Sequence, residues 1–228
     1  MSVFVIADPH LSFSSGKPMD IFRGWSDYTD RLKKNWEAVV SERDTVVLPG
    51  DISWAMELSA AAADFAFLNA LPGTKIIGKG NHDYWWGTVK KTESFLAENG
   101  FNTIKILFNN AYQAENIAVA GTRGWFFDDK TEESEKIILR EAGRLRRSLE
   151  AAVKLSGEPV AFTHYPVAFN GEVCEPLMQV LQEFSVRRCF FGHIHGAARA
   201  QALRFEYGGI DFSLISADYL AFCPKKIM

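Results

Sequence analysis

Apolar runs separated by polar segments recur along the chain and predict buried β-strands. The runs are short and rich in β-branched and aromatic residues, which suits strands that are buried on both faces of a sheet. They cover residues 3–7, 45–48, 75–78, 103–108, 117–120, 159–162, 187–191 and 212–215.

Two of the segments between these runs have the period of an amphipathic helix. Apolar residues mark one segment at positions 28, 32, 36 and 39, and the other at positions 138, 142, 145, 149 and 153. Strands that alternate with helices predict an α/β fold. The strands after residue 100 lie closer together in sequence, so we expect some antiparallel pairing there. The prediction is therefore two mixed sheets with helices outside, in a single domain spanning residues 1–228.

Polar residues follow five of the predicted strands, at the point where each strand ends. These segments are Asp8-Pro9-His10, Gly50-Asp51, Gly80-Asn81-His82-Asp83, His164 and Gly192-His193-Ile194-His195. All five histidines of the chain lie in them. Ligands of open α/β sheets bind at the carboxyl ends of strands, and neighbouring strands are about 4.8 Å apart. We therefore expect these residues to form one cluster, although they are distant in sequence.

The residue types in this cluster indicate a metal site. Imidazole, carboxylate and amide oxygen suit Mn, Fe or Zn, whereas thiolates favour softer metals. A carboxylate can bridge two cations, and Asp51 is the candidate for that role. Two metals about 3.5–4 Å apart would hold the attacking and leaving oxygens of an in-line displacement at phosphorus. The cluster therefore predicts a phosphoesterase with a dinuclear site.

Composition narrows the location and the partners of the protein. The net charge of the 228-residue chain is only −3, so nucleic acid is not an expected partner. The first apolar run follows no basic segment, and no run is long enough to cross a bilayer, so we expect a cytoplasmic protein without a membrane partner. Cys174, Cys189 and Cys223 lack paired spacing and are expected to be reduced thiols.

The five polar segments, in this order, resemble the calcineurin-like metallophosphoesterase superfamily, and most of all its small bacterial phosphohydrolases. The shared pattern is D-x-H, G-D, G-N-H-[DE], H and G-H-x-H, and here it spans residues 8–195. The resemblance implies a four-layer α/β/β/α sandwich of two mixed sheets with a dinuclear site at one edge. It implies one metal held by Asp8, His10, Asp51 and His195. It implies a second metal held by Asp51, Asn81, His164 and His193.

The resemblance also implies roles for two residues that are not metal ligands. His82 would face the phosphate and stabilise the transition state or protonate the leaving oxygen. Asp83 would orient His82 through the other ring nitrogen. The nucleophile would be a metal-bound hydroxide.

The chain departs from the superfamily at two points. Trp54 stands three positions after Asp51, where the superfamily often has an acidic residue, and this puts the support of the metal ligands in doubt. The Gly-Asp-x-x-Asp-Arg-Gly segment of the protein Ser/Thr phosphatases is missing, so a phosphoprotein is not the expected substrate.

Several further residues are candidates for substrate binding. Arg123 follows a predicted strand and could either clamp a phosphate or carboxylate of the substrate or form a structural ion pair. Aromatic residues near the motifs either pack at the strand ends or form a stacking wall for a flat group such as a nucleobase. They are Trp25, Tyr28, Trp54, Tyr84, Trp85, Trp86, Trp125, Phe126, Phe127 and Tyr165.

The predicted function is metal-dependent hydrolysis of a small phosphomonoester or phosphodiester, with nucleotides among the candidates. One alternative is a nuclease, whose affinity for its substrate would depend strongly on salt. The other is a non-catalytic scaffold, although such scaffolds commonly lose metal ligands or the phosphate-facing histidine, and both are present here.

Overall fold

The computed structural model describes residues 1–125, 131–196 and 204–228. The described strands are β1 (Val3–Val5), β2 (Thr45–Leu48), β3 (Thr74–Ile77), β4 (Ile104–Ile106), β5 (Tyr112–Ala114), β6 (Ile117–Thr122), β7 (Glu158–Thr163), β8 (Ala168–Phe169), β9 (Glu172–Val173), β10 (Arg188–Phe191), β11 (Arg204–Tyr207), β12 (Ile210–Leu214) and β13 (Lys225–Lys226). The described α-helices are α1 (Tyr28–Val39), α2 (Ala62–Ala70), α3 (Val89–Glu98), α4 (Glu132–Ala152) and α5 (Glu175–Glu183). Short 3-10 helices cover Met19–Ile21 and Leu58–Ala61.

The strands form two large mixed sheets. The first has the order β13-β1-β2-β3-β4, in which β1 to β4 are parallel and β13 is antiparallel to β1. The second has the order β11-β12-β10-β7-β6-β5, with parallel pairs in the centre and antiparallel pairs at both edges. Strands β8 and β9 form a small hairpin. The antiparallel pairing expected after residue 100 is therefore confirmed.

Alternating side chains along each strand divide the core into layers, because successive residues of a strand point to opposite faces of the sheet. Val5 and Val47 of the first sheet pack in one cluster with Val119 and Phe162 of the second, between the sheets. The outer face of the first sheet packs on α1, α2 and α3, and that of the second packs on α4 and α5. The result is the four-layer α/β/β/α sandwich.

Every predicted strand overlaps an observed one, and α1 and α4 confirm the two predicted helices. Helices α2, α3 and α5 were not predicted. In α2 most positions are alanine or another apolar residue. The segment therefore lacks the alternation of apolar and polar positions that predicts an amphipathic helix. Phe65 and Leu68 nevertheless bury this helix against the first sheet.

Two of the three cysteines are buried. All three cysteines are free, and burial raises the pKa of Cys174 to about 11 and that of Cys189 to about 12. These two thiols are therefore protonated and poor metal ligands near neutral pH. None of the helices in the described part of the chain has the length and apolar character needed to cross a membrane.

Candidate metal centre

The chain segments that follow β1 and β2 run side by side and form the base of the site. The amide of Asp8 donates to the carbonyl of Gly50 at 3.1 Å, and the amide of His10 donates to the carbonyl of Asp51 at 3.0 Å. Asp8, His10 and Asp51 have φ angles of 56°, 47° and 50°, and His193 on a third segment has a φ of 69°. Non-glycine residues rarely adopt positive φ, and such strain clusters at functional sites.

Two glycines allow the backbone to approach the carboxylates closely. A Cβ atom on Gly80 would lie 2.1 Å from Oδ1 of Asp51, and one on Gly192 would lie 2.5 Å from Oδ2 of Asp8. Both contacts are far too short for any side chain. The amides of the neighbouring segments donate to the same carboxylates, from His82 to Asp51 at 2.8 Å and from His193 to Asp8 at 2.9 Å. These hydrogen bonds hold both carboxylates in the cluster.

One group of donor atoms comes from Asp8, His10 and His195, whose ligand atoms lie within 4.8 Å of one another. The Nε2 atoms of His10 and His195 are 3.3 Å apart, and Nε2 of His195 lies 3.9 Å from Oδ2 of Asp8. These three residues belong to the set that the sequence predicts for the first metal.

A second group surrounds Asn81. Its Oδ1 atom lies 2.6 Å from Nε2 of His164 and 3.0 Å from Nδ1 of His193. Asp51 lies between the two groups, because its Oδ2 atom is 3.6 Å from Nε2 of His10 and 3.6 Å from Nε2 of His164. The structure thus brings all seven predicted metal residues into one cluster, with Asp51 between the rings of His10 and His164.

Within the described ranges, two buried polar atoms of this cluster lack hydrogen-bond partners, which indicates that the cluster is suited to a cation. Oδ1 of Asp8 and Nδ1 of His164 are buried 3.3 Å apart, yet neither has a hydrogen-bond partner among the described residues. Such atoms are costly to bury, and coordination of a cation would satisfy both of them. Asp8 also shares a donor group with Asp51 and His164, so it contacts both halves of the cluster.

The ionisable groups of the cluster perturb one another in a way that a cation would relieve. Burial, together with the charges of Asp83 and Asp8, raises the pKa of Asp51 to about 7, although His164 acts in the opposite direction. Burial also lowers the pKa of His10 well below its ordinary value and that of His193 to about 3. Neutral imidazole and ionised carboxylate are the forms that bind metals. The rings of His10 and His193 are therefore neutral. Nearby carboxylates, acting against burial, raise the pKa values of His164 and His195, and a cation would favour the neutral forms of these two rings and the ionised form of Asp51.

His82 lies beside the first group of donor atoms and is half-buried. Its ring is 5.7 Å from the ring of His10 and 4.1 Å from that of Trp54, measured between centroids. Trp54 also stacks on His10 at 5.1 Å, with an angle of 21° between the ring planes. At the position where the superfamily often has an acidic residue, this chain therefore has an aromatic side chain that contacts both histidines.

The predicted role of Asp83 differs from what the structure shows. Its Oδ1 atom accepts hydrogen bonds from the Ile52 amide at 2.8 Å, the Ser53 amide at 3.1 Å and Nε1 of Trp85 at 2.9 Å. Its Oδ2 atom accepts one from the Gly80 amide at 2.7 Å. The Nδ1 atom of His82 instead lies 3.4 Å from the hydroxyl of Tyr84. Because four donors occupy the carboxylate, Asp83 joins the loops that carry Asp51 and Asn81 and does not orient the His82 ring.

Two further carboxylates support the site and were not predicted. Oδ1 of Asp218 lies 2.9 Å from Nδ1 of His195, and its Oδ2 accepts from the Gly196 amide at 3.1 Å. Asp64 of α2 is fully buried and accepts from the Ser53 hydroxyl and, at 2.9 Å, from the Phe13 amide. Asp218 follows a predicted strand, as the metal residues do, so the same signal could have identified it. Asp64 is a charged residue in an otherwise apolar stretch, which is a weaker signal.

Arg123 lies near α4, and its guanidinium is 3.8 Å from the buried carboxylate of Glu141. Its carbonyl accepts hydrogen bonds from the amides of His164 and Tyr165. The contact with Glu141 is the structural ion pair that was one of the two interpretations of Arg123. Its role in substrate binding stays a prediction.

The predicted aromatic residues fall into different environments. Trp25, Tyr28, Trp85 and Tyr165 are buried, whereas Tyr84 is half-exposed. Trp54 and Trp86 are partly buried and pack against the core between the first sheet and its helices. Phe126 and Phe127 lie outside the described residues. Packing therefore accounts for most of these side chains, while four of them also contact histidines of the site, namely Trp25, Trp54, Tyr84 and Tyr165.

Comparison with models of known families assigns the chain to one of them. The fold and the cluster of Asp and His residues are those of a metal-dependent phosphoester hydrolase. A family model described as calcineurin-like phosphoesterase matches residues 1–197. The chain therefore belongs to the calcineurin-like phosphoesterase family. The comparison with curated proteins found no match in sequence.

Solved structures share the fold at low sequence identity. The phosphopantetheinyl hydrolase PptH from Mycobacterium tuberculosis is 12% identical, with a TM-score of 0.59 over 100% of this chain and 95% of that one. The protein TT1561 of Thermus thermophilus is 13% identical, with a TM-score of 0.58 over 99% and 97%. The protein AQ665 from Aquifex aeolicus is 15% identical, with a TM-score of 0.52 over 99% and 95%. At these identities the likeness concerns the fold alone.

Proposed function

We propose that the protein is a dinuclear metallophosphoesterase that hydrolyses a small phosphomonoester or phosphodiester, with nucleotides among the candidates. The observation that carries the proposal is the position of Asp51, whose Oδ2 atom is equally far, at 3.6 Å, from Nε2 of His10 and Nε2 of His164. A carboxylate between two sets of imidazole ligands is suited to two adjacent cations.

The ligands divide into two sets that share Asp51. Asp8, His10, Asp51 and His195 would hold one metal, and Asp51, Asn81, His164 and His193 would hold the other. Mn, Fe or Zn suits this mixture of donors. When bound, such ions supply Lewis acidity that activates water and balances the charge of the phosphate. The amides of His82 and His193 donate to the Asp51 and Asp8 carboxylates and would hold them in place as ligands.

His82 is proposed to assist departure of the leaving group. Burial, and then the charge of His164, lowers the pKa of His82 to about 4, so the free ring is neutral near pH 7. A bound phosphate acts in the opposite direction, because a nearby negative charge favours the protonated ring. We propose that the ring, once protonated beside the bound phosphate, donates a proton to the ester oxygen, so that the oxygen leaves as an alcohol.

Two observations bear on the size and charge of the substrate. The net charge of −3 gives no general attraction for a polyanion, which favours a small phosphoester over nucleic acid. The site lies beside a cavity of about 460 Å³, a volume typical of small-molecule sites.

The proposal is tested by hydrolysis of two phosphomonoesters that differ in the quality of the leaving group. With added Mn²⁺, we expect turnover of both nitrophenyl phosphate and phenyl phosphate, and loss of both in Asp51→Asn. His82→Asn should lower kcat by about 10²- to 10⁴-fold for phenyl phosphate and by less for nitrophenyl phosphate, because nitrophenolate leaves without a proton donor.

Control and refutation come from the same assay. Tyr207 lies on the edge strand β11 of the second sheet, and Tyr207→Phe should retain wild-type turnover with both esters. Metal-dependent turnover that survives in both Asp51→Asn and His82→Asn would refute the mechanism. Purified protein that binds metal but hydrolyses neither ester, nor a phosphodiester, would instead favour a non-catalytic scaffold.

A further inference from the structure

A cavity of about 460 Å³ lies directly beside His82. One part of its lining consists of the histidines His10, His82 and His195. The cavity therefore adjoins the proposed metal centre on the side of the first group of donor atoms. Its volume far exceeds what a phosphate group needs, so it has room for another part of a substrate.

The rest of the lining is mainly apolar. It includes Met19, Phe22, Trp25 and Trp54. Two charged residues, Arg23 and Asp218, also line the cavity. The carboxylate of Asp218 already contacts His195 and the Gly196 amide, and Arg23 is exposed to solvent at the surface of the protein. An apolar wall cannot replace the water around a phosphate, whereas it gains free energy by covering an apolar group. The phosphate and the apolar wall thus belong to different halves of a bound ester.

Contacts within the lining hold the apolar wall in place before any ligand binds. Trp54 stacks on His10, and its Nε1 atom donates to Sδ of Met19 at 3.2 Å. Trp25 meets the rings of His10 and His195 edge-on, in each case with 5.8 Å between centroids. A wall that is already ordered loses little entropy when a ligand binds.

Phe22 is the apolar lining residue with the most surface left to bury. Its side chain is 53% exposed, and it follows the short helix Met19–Ile21. Because the ring both lines the cavity and faces solvent, a ligand in the cavity would cover apolar surface that the protein alone leaves in water.

We propose that this cavity binds the alcohol half of the substrate, and that this alcohol has an apolar body of several carbon atoms. The inference rests on the proposed function, in which His82 donates to the ester oxygen. In that reaction an oxygen of water bonds to phosphorus, and the bond between phosphorus and the ester oxygen breaks. The ester oxygen keeps the electron pair and takes a proton from His82. The attacking water releases one proton to solvent, and His82 takes up a proton again from solvent. The alcohol is then released on the side of His82 that the cavity occupies.

The test is a series of n-alkyl phosphates, namely ethyl, butyl and hexyl phosphate, assayed with Mn²⁺. The chemistry of the leaving oxygen is nearly constant along the series, while the apolar area grows. Each fully buried methylene changes binding by about fourfold. Because the cavity is partly open, we expect kcat/KM to rise at least tenfold in total from ethyl to hexyl phosphate.

Two phenylalanines of similar exposure provide the variant and its control. Phe22→Ala should lower the ratio of kcat/KM for hexyl to ethyl phosphate by about threefold or more, and Phe22→Leu should restore most of it. Phe13 is 50% exposed, but its ring contacts Phe67 at 5.1 Å. Phe13→Ala should therefore leave the ratio unchanged.

Binding of the corresponding alkylphosphonates, followed by tryptophan fluorescence, separates this inference from the proposed function. Hydrolysis of all esters without dependence on chain length would overturn the cavity proposal and leave the phosphoesterase intact. An equal effect of Phe13→Ala and Phe22→Ala would overturn it as well. Absence of hydrolysis, with phosphonate affinity that rises with chain length, would support the cavity and contradict the proposed reaction. Phosphonate affinity that does not vary with chain length would overturn the cavity proposal whatever the turnover.

Discussion

Replacing Asp83 with asparagine distinguishes a structural carboxylate from one that acts on His82. The carboxylate accepts four hydrogen bonds, three on Oδ1 and one on Oδ2. An asparagine can keep the three on its oxygen only if its NH₂ group faces the amide of Gly80. One buried donor then loses its partner, which costs about 1–3 kcal/mol. The other three bonds lose the strength that the charge gives them. We expect the free energy of unfolding to fall by about 2–4 kcal/mol in total.

The same change should weaken metal binding, because Asp83 joins the two loops that carry Asp51 and Asn81. Residues that hold metal ligands in place typically contribute 10- to 100-fold to metal affinity. We expect a loss of this size for Asp83→Asn in calorimetric titrations with Mn²⁺, while urea denaturation of the metal-free protein measures the loss of stability. The dependence of kcat on pH should keep its shape when the metal is saturating.

Asp44→Asn is the matched control for this experiment. Asp44 is also buried and accepts from the Ser2 amide, the Ser41 amide and the Ser41 hydroxyl at 2.7–2.8 Å, but it lies near the start of β2, away from the metal centre. Its loss should lower stability without changing Mn²⁺ affinity. If Asp83→Asn instead preserved stability and Mn²⁺ affinity but shifted the pH dependence of kcat, Asp83 would act through His82 and the reasoning from its four hydrogen bonds would be wrong.

Two other substitutions test the support of the site and of the fold. Asp218→Asn should lower Mn²⁺ affinity by about 10- to 100-fold, because Asp218 orients His195 through Nδ1; wild-type affinity in a calorimetric titration would contradict this role. Lys75 is fully buried, and burial lowers its pKa from 10.5 to about 8. Between these values the unfolded chain binds more protons than the folded protein, so the free energy of unfolding should rise with pH, by about 3 kcal/mol at most. Lys75→Met should lack this rise in urea denaturation from pH 7.5 to 10.5, and equal pH dependence in the two proteins would refute the assignment.

The sequence alone determined that the metal residues come together. Each of the predicted residues follows an apolar run, and the runs are strands whose carboxyl ends meet at neighbouring edges of the two sheets. Strand periodicity and residue type are local properties, so they can be read without knowing the order of the strands. The same local signals predicted eight of the described strands and the helices α1 and α4. Together with the resemblance they also predicted the sandwich architecture.

The tertiary structure decided which groups support the ligands and what surrounds them. Asp83 was assigned to the neighbouring His82, yet two of the four hydrogen bonds that it accepts come from the segment after Asp51, about 30 positions earlier in the chain. Asp218 and Asp64 reach His195 and Ser53 only because distant elements pack together. The apolar cavity likewise combines Phe22, Trp54 and His82 from three separate segments. Such contacts depend on how the layers are oriented, and the local pattern of apolar and polar residues does not contain that orientation.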